Sequence, residues 1–345
     1  TEFTDCYWEG NGLLDFDRRS KAYHDRLREF NAGDVLVPEL RQTAAVAGGT
    51  LDLRVHASHF TTRDWAGASL TVSLDAHRET VAVPDISRAS VHLITQTALP
   101  LPNVERAELK TVHLRLKQRD DAEIAHTTAD VLVLPQSALE AAYAQPVAVI
   151  QPSSPWGDET PAPLELALRA AGYQAQAALD GARLAVSAHP TAESLAWVRD
   201  GGDLLYLCSG LSPFFWVTGR GGTYSGNWMS CWSWLRPDAH PRLNHPAMNP
   251  LKLPFVHVMP HLTILGLPVE DADVQPDFLA GQISGWVNHP AVHTVQFRYG
   301  AGRVLMTTFA LAQAIGADPV ATALLHDLID WLASERCAPR LRSNW

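Results

Sequence analysis

Cysteine, basic runs and long apolar runs are what this chain has least of, and each shortage closes off a class of function. The four cysteines, Cys6, Cys208, Cys231 and Cys337, are widely spaced and form no C-x-x-C pair. A disulfide framework or a thiolate zinc site is therefore not expected, and the cytoplasm is the default compartment. The formal net charge is −10 and no block of Lys and Arg interrupts it, which argues against a nucleic-acid surface. No apolar run approaches the roughly 18–20 residues of a bilayer span, so no membrane insertion is expected. The first residues carry neither an initiator Met nor a signal-peptide pattern. Ser-His-Asp spacing is absent. Gly219-Arg220-Gly221-Gly222 lacks both a suitable preceding strand and the Lys of a phosphate-binding loop. No cofactor is expected.

What is present has the composition of an ordinary soluble globular protein. With 345 residues, 46% hydrophobic and 19% charged, the chain can fill two or three domain cores. Its eleven Trp are about twice the usual share. An indole face packs well on a pyranose ring, but Trp also serves large cores and oligomer interfaces, so both readings stay open.

Residues 1–34 read as one β/α unit. A polar-aromatic strand, Thr1-Glu2-Phe3-Thr4-Asp5-Cys6-Tyr7-Trp8, is followed by a Gly-Asn-Gly turn and an Arg/Lys-rich helix from about Ser20 to Phe30. One such unit cannot bury both faces of a parallel strand, so the expectation is a chain that forms the tail of a larger protein. The runs F-T-D-C-Y-W and N-G-L-L-D-F-D-R-R-S-K-A-Y-H resemble the eighth β/α unit of the catalytic barrel in glycoside hydrolase family 2. That family includes β-galactosidases, β-glucuronidases and β-mannosidases. The resemblance covers about thirty residues. It implies the last βα unit of a (β/α)8 TIM barrel at 1–34, and it assigns Asp5 and Trp8 as substrate contacts at the C-terminal end of a barrel strand. Glu2 would lie inside the barrel as a structural residue. Retaining hydrolysis needs two carboxylates about 5–5.5 Å apart. The family draws both from earlier strands, so none of Glu2, Asp5 and Glu9 is assigned as catalytic. A strand simply docked on the next domain is the equal alternative.

Further along, 35–135 carries short alternating runs: Leu51–Ala57, Ser69–Leu74, Val91–Thr95, Lys110–Lys117 and Asp130–Leu134. Gly, Pro, Asp and Asn clusters separate them. About seven strands in about a hundred residues predict an immunoglobulin-like β-sandwich, with Trp65 as a core or interdomain plug. An Ala-rich stretch, 136–145, reads as a linker. From 146 to 345 the texture changes. Pro146–Ile150, Leu184–Ser187 and Asp203–Leu207 are buried strands that alternate with helices at Pro163–Gly172 and Thr191–Asp200. Strands at Thr294–Phe297 and Arg303–Thr308 and a helix at Pro319–Ala333 complete a doubly wound α/β domain. The segments W-V-R-D-G-G-D-L-L-Y-L and F-R-Y-G-A-G-R-V-L-M-T-T-F resemble the class I glutamine-amidotransferase-like, flavodoxin-like fold. Such domains occur as non-catalytic appendages of β-galactosidase-type enzymes, often in oligomer assembly.

Leu207-Cys208-Ser209-Gly210 sits where an amidotransferase carries its nucleophile. A working site needs an exposed Cys, a His base and a carboxylate that orients the His. The family's His-Pro-Glu is His289-Pro290-Ala291 here, without the carboxylate, and bulky Tyr206 replaces a Gly before the Cys. Cys208 thus reads as a small buried residue at a strand end. The stretch 219–261 gathers Trp228, Trp232, Trp234 and four histidines, His240, His245, His257 and His261, whose spacings fit no metal motif. A sugar platform and a surface that packs on a subunit both remain open for it. The leading expectation is a C-terminal accessory portion of a retaining β-glycosidase of β-galactosidase type. It would meet β-glycosides through the barrel, assemble as a homo-oligomer and lack turnover by itself. A non-enzymatic carbohydrate-binding or assembly module is the alternative, and a thiol-dependent amidotransferase relative ranks third.

Overall fold

The computed structural model describes residues 12–21, 26–150, 163–219, 232–244, 262–284 and 289–343. Among them the chain is rich in strands and poor in helices, and no helix is long and apolar enough to cross a membrane. It divides into two compact units, Thr1–Asn103 with Leu109–Val133, and Val104–Glu108 with Leu134–Trp345.

The strands of the first unit are β1 (Asp34–Leu40), β2 (Ala44–Val46), β3 (Thr50–His59), β4 (Ser69–Leu74), β5 (His77–Ala82), β6 (Ser90–Pro100), β7 (Glu108–Lys117) and β8 (Glu123–Leu134). They form a three-stranded sheet, β1-β3-β6, and a five-stranded sheet, β2-β8-β7-β4-β5. Side chains alternate faces along a strand. In β3 this buries Leu51, Leu53, Val55 and Ala57 and leaves Asp52 and Arg54 exposed. Leu70, Val72 and Leu74 of β4 and Val112, Leu114 and Leu116 of β7 are buried in the same way. Two sheets that each have one apolar face are stable when those faces cover each other. Eight strands occur where about seven were expected. The named runs cover β3, β4, β6, β7 and β8; β1, β2 and β5 escaped pattern reading, and HRETVA of β5 has no fully buried position.

The helix expected from about Ser20 starts later. Leu13–Lys21 folds back on itself instead: Lys21 N donates to Leu13 O at 3.1 Å and Leu14 bridges Ser20. Arg18 takes a left-handed φ of 63° in that turn, and Asp15 Oδ1 accepts from Arg19 N at 2.7 Å. The described helix, α1, covers Leu27–Phe30.

The second unit contains β9 (Val147–Ile150), α2 (Pro163–Ala170), β10 (Ala175–Gln176), β11 (Leu184–Ser187), α3 (Ala192–Arg199) and β12 (Asp203–Leu207). After these come β13 (Val217–Gly219), β14 (Trp232–Leu235), β15 (Leu262–Ile264), β16 (Phe278–Ser284), β17 (His289–Tyr299), β18 (Gly302–Thr307) and α4 (Pro319–Ala333). One sheet runs β10-β9-β11-β12-β18-β17-β15-β13, and β16 pairs with both β14 and β17. The first five strands are parallel, and their ranks in the sequence read 2-1-3-4-5. From β17 onward every pairing is antiparallel. The sheet is therefore mixed, where an alternating α/β pattern was expected to carry through. A short strand, β13, runs into Gly219, but it pairs antiparallel with β15 and is not the parallel strand that a phosphate-binding loop follows.

Every residue of β9, β11 and β12 is buried, because helices cover both faces of the parallel half. Val198 of α3 clusters with Ala148, Ala185, Leu204, Tyr206 and Val304. The alternate residues, such as Val147, Val186 and Leu205, face the opposite side, and α4 contacts β12 and β18 there. Local chemistry starts α3 and α4. Thr191 caps α3 in a reciprocal box with Ser194, and Asp318 Oδ1 accepts from Ala321 N at 2.9 Å with Pro319 opening α4. The Ala-rich stretch joins this unit as well: it contains a 3-10 turn, Gln136–Leu139, and His326 Nε2 donates to Leu139 O at 3.1 Å.

Candidate functional site

In open parallel sheets ligands and nucleophiles sit outside the carboxyl ends of the strands. Here that edge is formed by Ile150, Ser187, Cys208 and Thr307. Ser187 Oγ donates to Ile150 O at 2.9 Å and accepts from His189 N at 3.0 Å, so its hydroxyl is already committed. Cys208 N donates to Thr307 O at 2.8 Å, which continues the β12–β18 ladder by one residue. The thiol is buried and donates to Gly210 O at 3.3 Å. Burial pushes it above the ordinary thiol range, so it stays protonated at neutral pH and is a poor nucleophile.

The histidine that the expected motif would supply as base stands far from this thiol along the sheet. Thr307 pairs with Thr294 on β17, and His289 stands five residues earlier on that strand. At about 3.3 Å per residue this is about 16 Å away along the sheet, far beyond a hydrogen bond. His289 and Pro290 lie in the antiparallel β16–β17 ladder, opposite Ser284 and Ile283. Tyr206 is buried and donates to Leu211 O at 3.0 Å, which anchors the loop after β12. Two large apolar side chains of that loop, Leu211 (94%) and Trp216 (73%), are exposed.

Other buried polar groups are used to hold the fold. In the first unit Asp34 Oδ1 meets His59 Nδ1 at 2.9 Å, and Thr61 Oγ1 donates to Asp34 Oδ2 at 2.6 Å. Burial alone would raise the Asp34 carboxyl, but hydrogen bonds from Thr61 and His59 outweigh it and hold the group below its usual value. The hydroxyl serves the carboxylate and not the imidazole, so no nucleophile–base pair forms. Trp65 is buried with its ring 4.4 Å from that of His59, which makes it a core residue.

In the second unit Arg303 clamps Asp203 through Nε (2.9 Å) and Nη2 (2.6 Å), and its Nη1 reaches Ser334 O and Cys337 O. Arg242 pairs with Asp327 (3.0 Å) and Asp330 (2.8 Å). Burial pushes the Asp327 carboxyl up to about 7 against the pull of Arg242. His326 accepts from Tyr173 Oη at 2.5 Å on Nδ1, and burial lowers it to about 4. His240 is fully buried with Nδ1 donating to Arg236 O at 2.9 Å, and burial lowers it also to about 4. None of these clusters places a nucleophile, a base and an open cleft together.

Asp5 and Trp8, the expected sugar contacts, lie outside the described residues, as do Glu2, Glu9, Trp228, His245, His257 and His261. Of the four histidines only His240 is described, and it is buried. Among the described residues no group of three His, Cys, Asp or Glu could hold a metal ion. The Asp34–His59–Thr61 and Asp203–Arg303 clusters were missed in the sequence, because residues 25 and 100 apart leave no spacing signal.

No family model matches the chain, and no curated protein matches its sequence. Among solved structures, Spo0M, the sporulation control protein of Bacillus subtilis, aligns at 15% identity over 30% of this chain and 49% of its own, with a TM-score of 0.22. A conjugative transposon lipoprotein from Bacteroides eggerthii DSM 20697 aligns at 8% identity over 28% of this chain and 95% of its own, with a TM-score of 0.17. This chain spans about half the length of Spo0M. Likenesses this slight carry no functional argument.

Proposed function

We propose that the chain is the C-terminal accessory portion of a retaining β-glycosidase of family 2, β-galactosidase type, and that its two units serve stability and assembly. The observation that carries this reading is the order of features along the sequence. The F-T-D-C-Y-W and N-G-L-L-D-F-D runs come first, then a two-sheet β unit, then a unit with a parallel sheet. The two-sheet unit supports an immunoglobulin-like sandwich, and the 2-1-3-4-5 strand order supports a flavodoxin-like or amidotransferase-like domain. The raised, buried thiol of Cys208 favours a non-catalytic role for that domain over a thiol amidotransferase. Asp5 and Trp8 would touch the β-glycoside, and a homo-oligomer would be the working form. The test is the reading frame upstream of Thr1. A frame encoding barrel strands and two glutamates placed as acid and nucleophile is the expected result, and a frame without them sinks the reading.

A second reading, a non-enzymatic binding or assembly module, is favoured by the exposed Leu211 and Trp216 on the loop after β12. Apolar side chains this open commonly mark contact surfaces.

A further inference from the structure

Two depressions of about 550 and 450 Å³ lie side by side in the second unit and share Val269, Glu270 and Pro290. Their size falls within the about 300–1,000 Å³ of small-molecule sites. One wall is the surface of β14, β16 and β17. Trp234 pairs with Gly281, and Ile283 pairs with Pro290, so these positions share one face of the sheet. Gly281 is what seats the indole. Any Cβ there would overlap the six-membered ring of Trp234 and the carbonyl of Ala291. The ring therefore lies over bare backbone, half-buried, with the remainder facing the cleft.

The facing wall is the loop from Leu265 to Gln275. Gln275 Nε2 donates to Val269 O at 3.3 Å, which holds the side chain in place and leaves its carbonyl oxygen as an acceptor. Asp271 Oδ1 is occupied by Asp273 N at 2.9 Å. Glu270 is exposed and makes no hydrogen bond among the described residues. An aromatic platform beside an exposed carboxylate and a fixed amide matches a pyranose ring, which offers a C–H face to the indole and hydroxyl donors at its rim. A purely apolar ligand would strip water from Glu270 without replacing its hydrogen bonds. An anion would meet that carboxylate and a chain of net charge −10.

We infer that this cleft binds a neutral oligosaccharide, with Trp234 as the stacking platform and Glu270 and Gln275 as hydroxyl partners. The inference deepens the binding-module reading and rests on it, not on the barrel. The experiment is saturation-transfer NMR on the full chain with cellotetraose, β-1,4-galactotetraose and β-1,4-mannotetraose. At least one should bind through its ring C–H protons. Trp234→Ala should weaken that binding by about tenfold or more. Glu270→Gln and Gln275→Ala sit on an exposed loop, leave the sheet intact, and should weaken it by about threefold or more. Absence of binding to all three sugars overturns the inference. Binding that all three variants leave unchanged also overturns this site, while a sugar-binding module elsewhere on the chain would survive.

Discussion

The two halves of the ten-stranded sheet are built on opposite principles. In the parallel half, β9, β11 and β12 have no exposed residue, and Asp203 is clamped by Arg303 at its edge. In the antiparallel half, Trp234 and Pro290 are half-buried, Ile283 is 38% exposed, and a cleft opens beside them. A strand covered by helices on both faces can only be packing. A strand covered on one face has a surface to offer. The contrast teaches that the parallel, helix-covered part of the sheet is the part with least room for chemistry.

The hardest blow to the parallel half is Asp203→Ala. It leaves the Arg303 guanidinium without its carboxylate and should cost about 3–5 kcal/mol, read as a lower denaturant midpoint. Loss of under about 1 kcal/mol would mean that the clamp is solvated in solution. Next comes Gly302→Ala. A methyl group there overlaps the carbonyls of Val198 and Gly202, both backbone, and should cost about 1–3 kcal/mol. In the antiparallel half, Gly281→Ala should displace the Trp234 indole and change its fluorescence, with an equal or smaller loss of stability.

Acid tests the same contrast, because α4 behind the parallel half carries His326 and Asp327. Between pH 4 and 6.5 the unfolded chain binds more protons than the folded one at His326 and His240, so stability should rise with pH. Asp327, at about 7 when folded, pulls the other way over that window. Two histidines against one carboxylate leave a net rise of order 2 kcal/mol, checked by unfolding midpoints at pH 4.5 and 6.5. The smallest effect belongs to the first unit. Glu39→Gln removes exposed partners of Arg54 and His56 and should shift stability by about 1 kcal/mol or less.

Much of this was legible because the signal was local. Ser69–Leu74 alternates in sequence and in burial, and Pro319–Ala333 carries its own cap, its Pro and its apolar stripe. Continuous apolar runs announced β9, β11 and β12. Charged β5 and the three- and four-residue strands β13, β14 and β15 were not legible, because pairing and not side-chain pattern defines them. The helix near Ser20 was overextended, since Arg and Lys favour helix but a hairpin turn at Arg18 overrides them. Cys208 was read correctly as a buried strand end. Trp234 stood out by composition. Glu270 and Gln275 did not, because single polar residues in a loop gain meaning only from the wall they face.

The strand order has a consequence for synthesis. Asp203 of β12 must wait for Arg303 of β18, 100 residues later, and the described strands between them, β13 to β17, pair outside the parallel half. As the chain leaves the ribosome, β9, β11 and β12 can assemble first and then present β12 as an open edge of apolar backbone until β18 arrives. Such distant pairing is slow. Aggregation during expression should therefore track how long that edge stays uncovered, and a chain truncated before Gly302 should be lost to inclusion bodies.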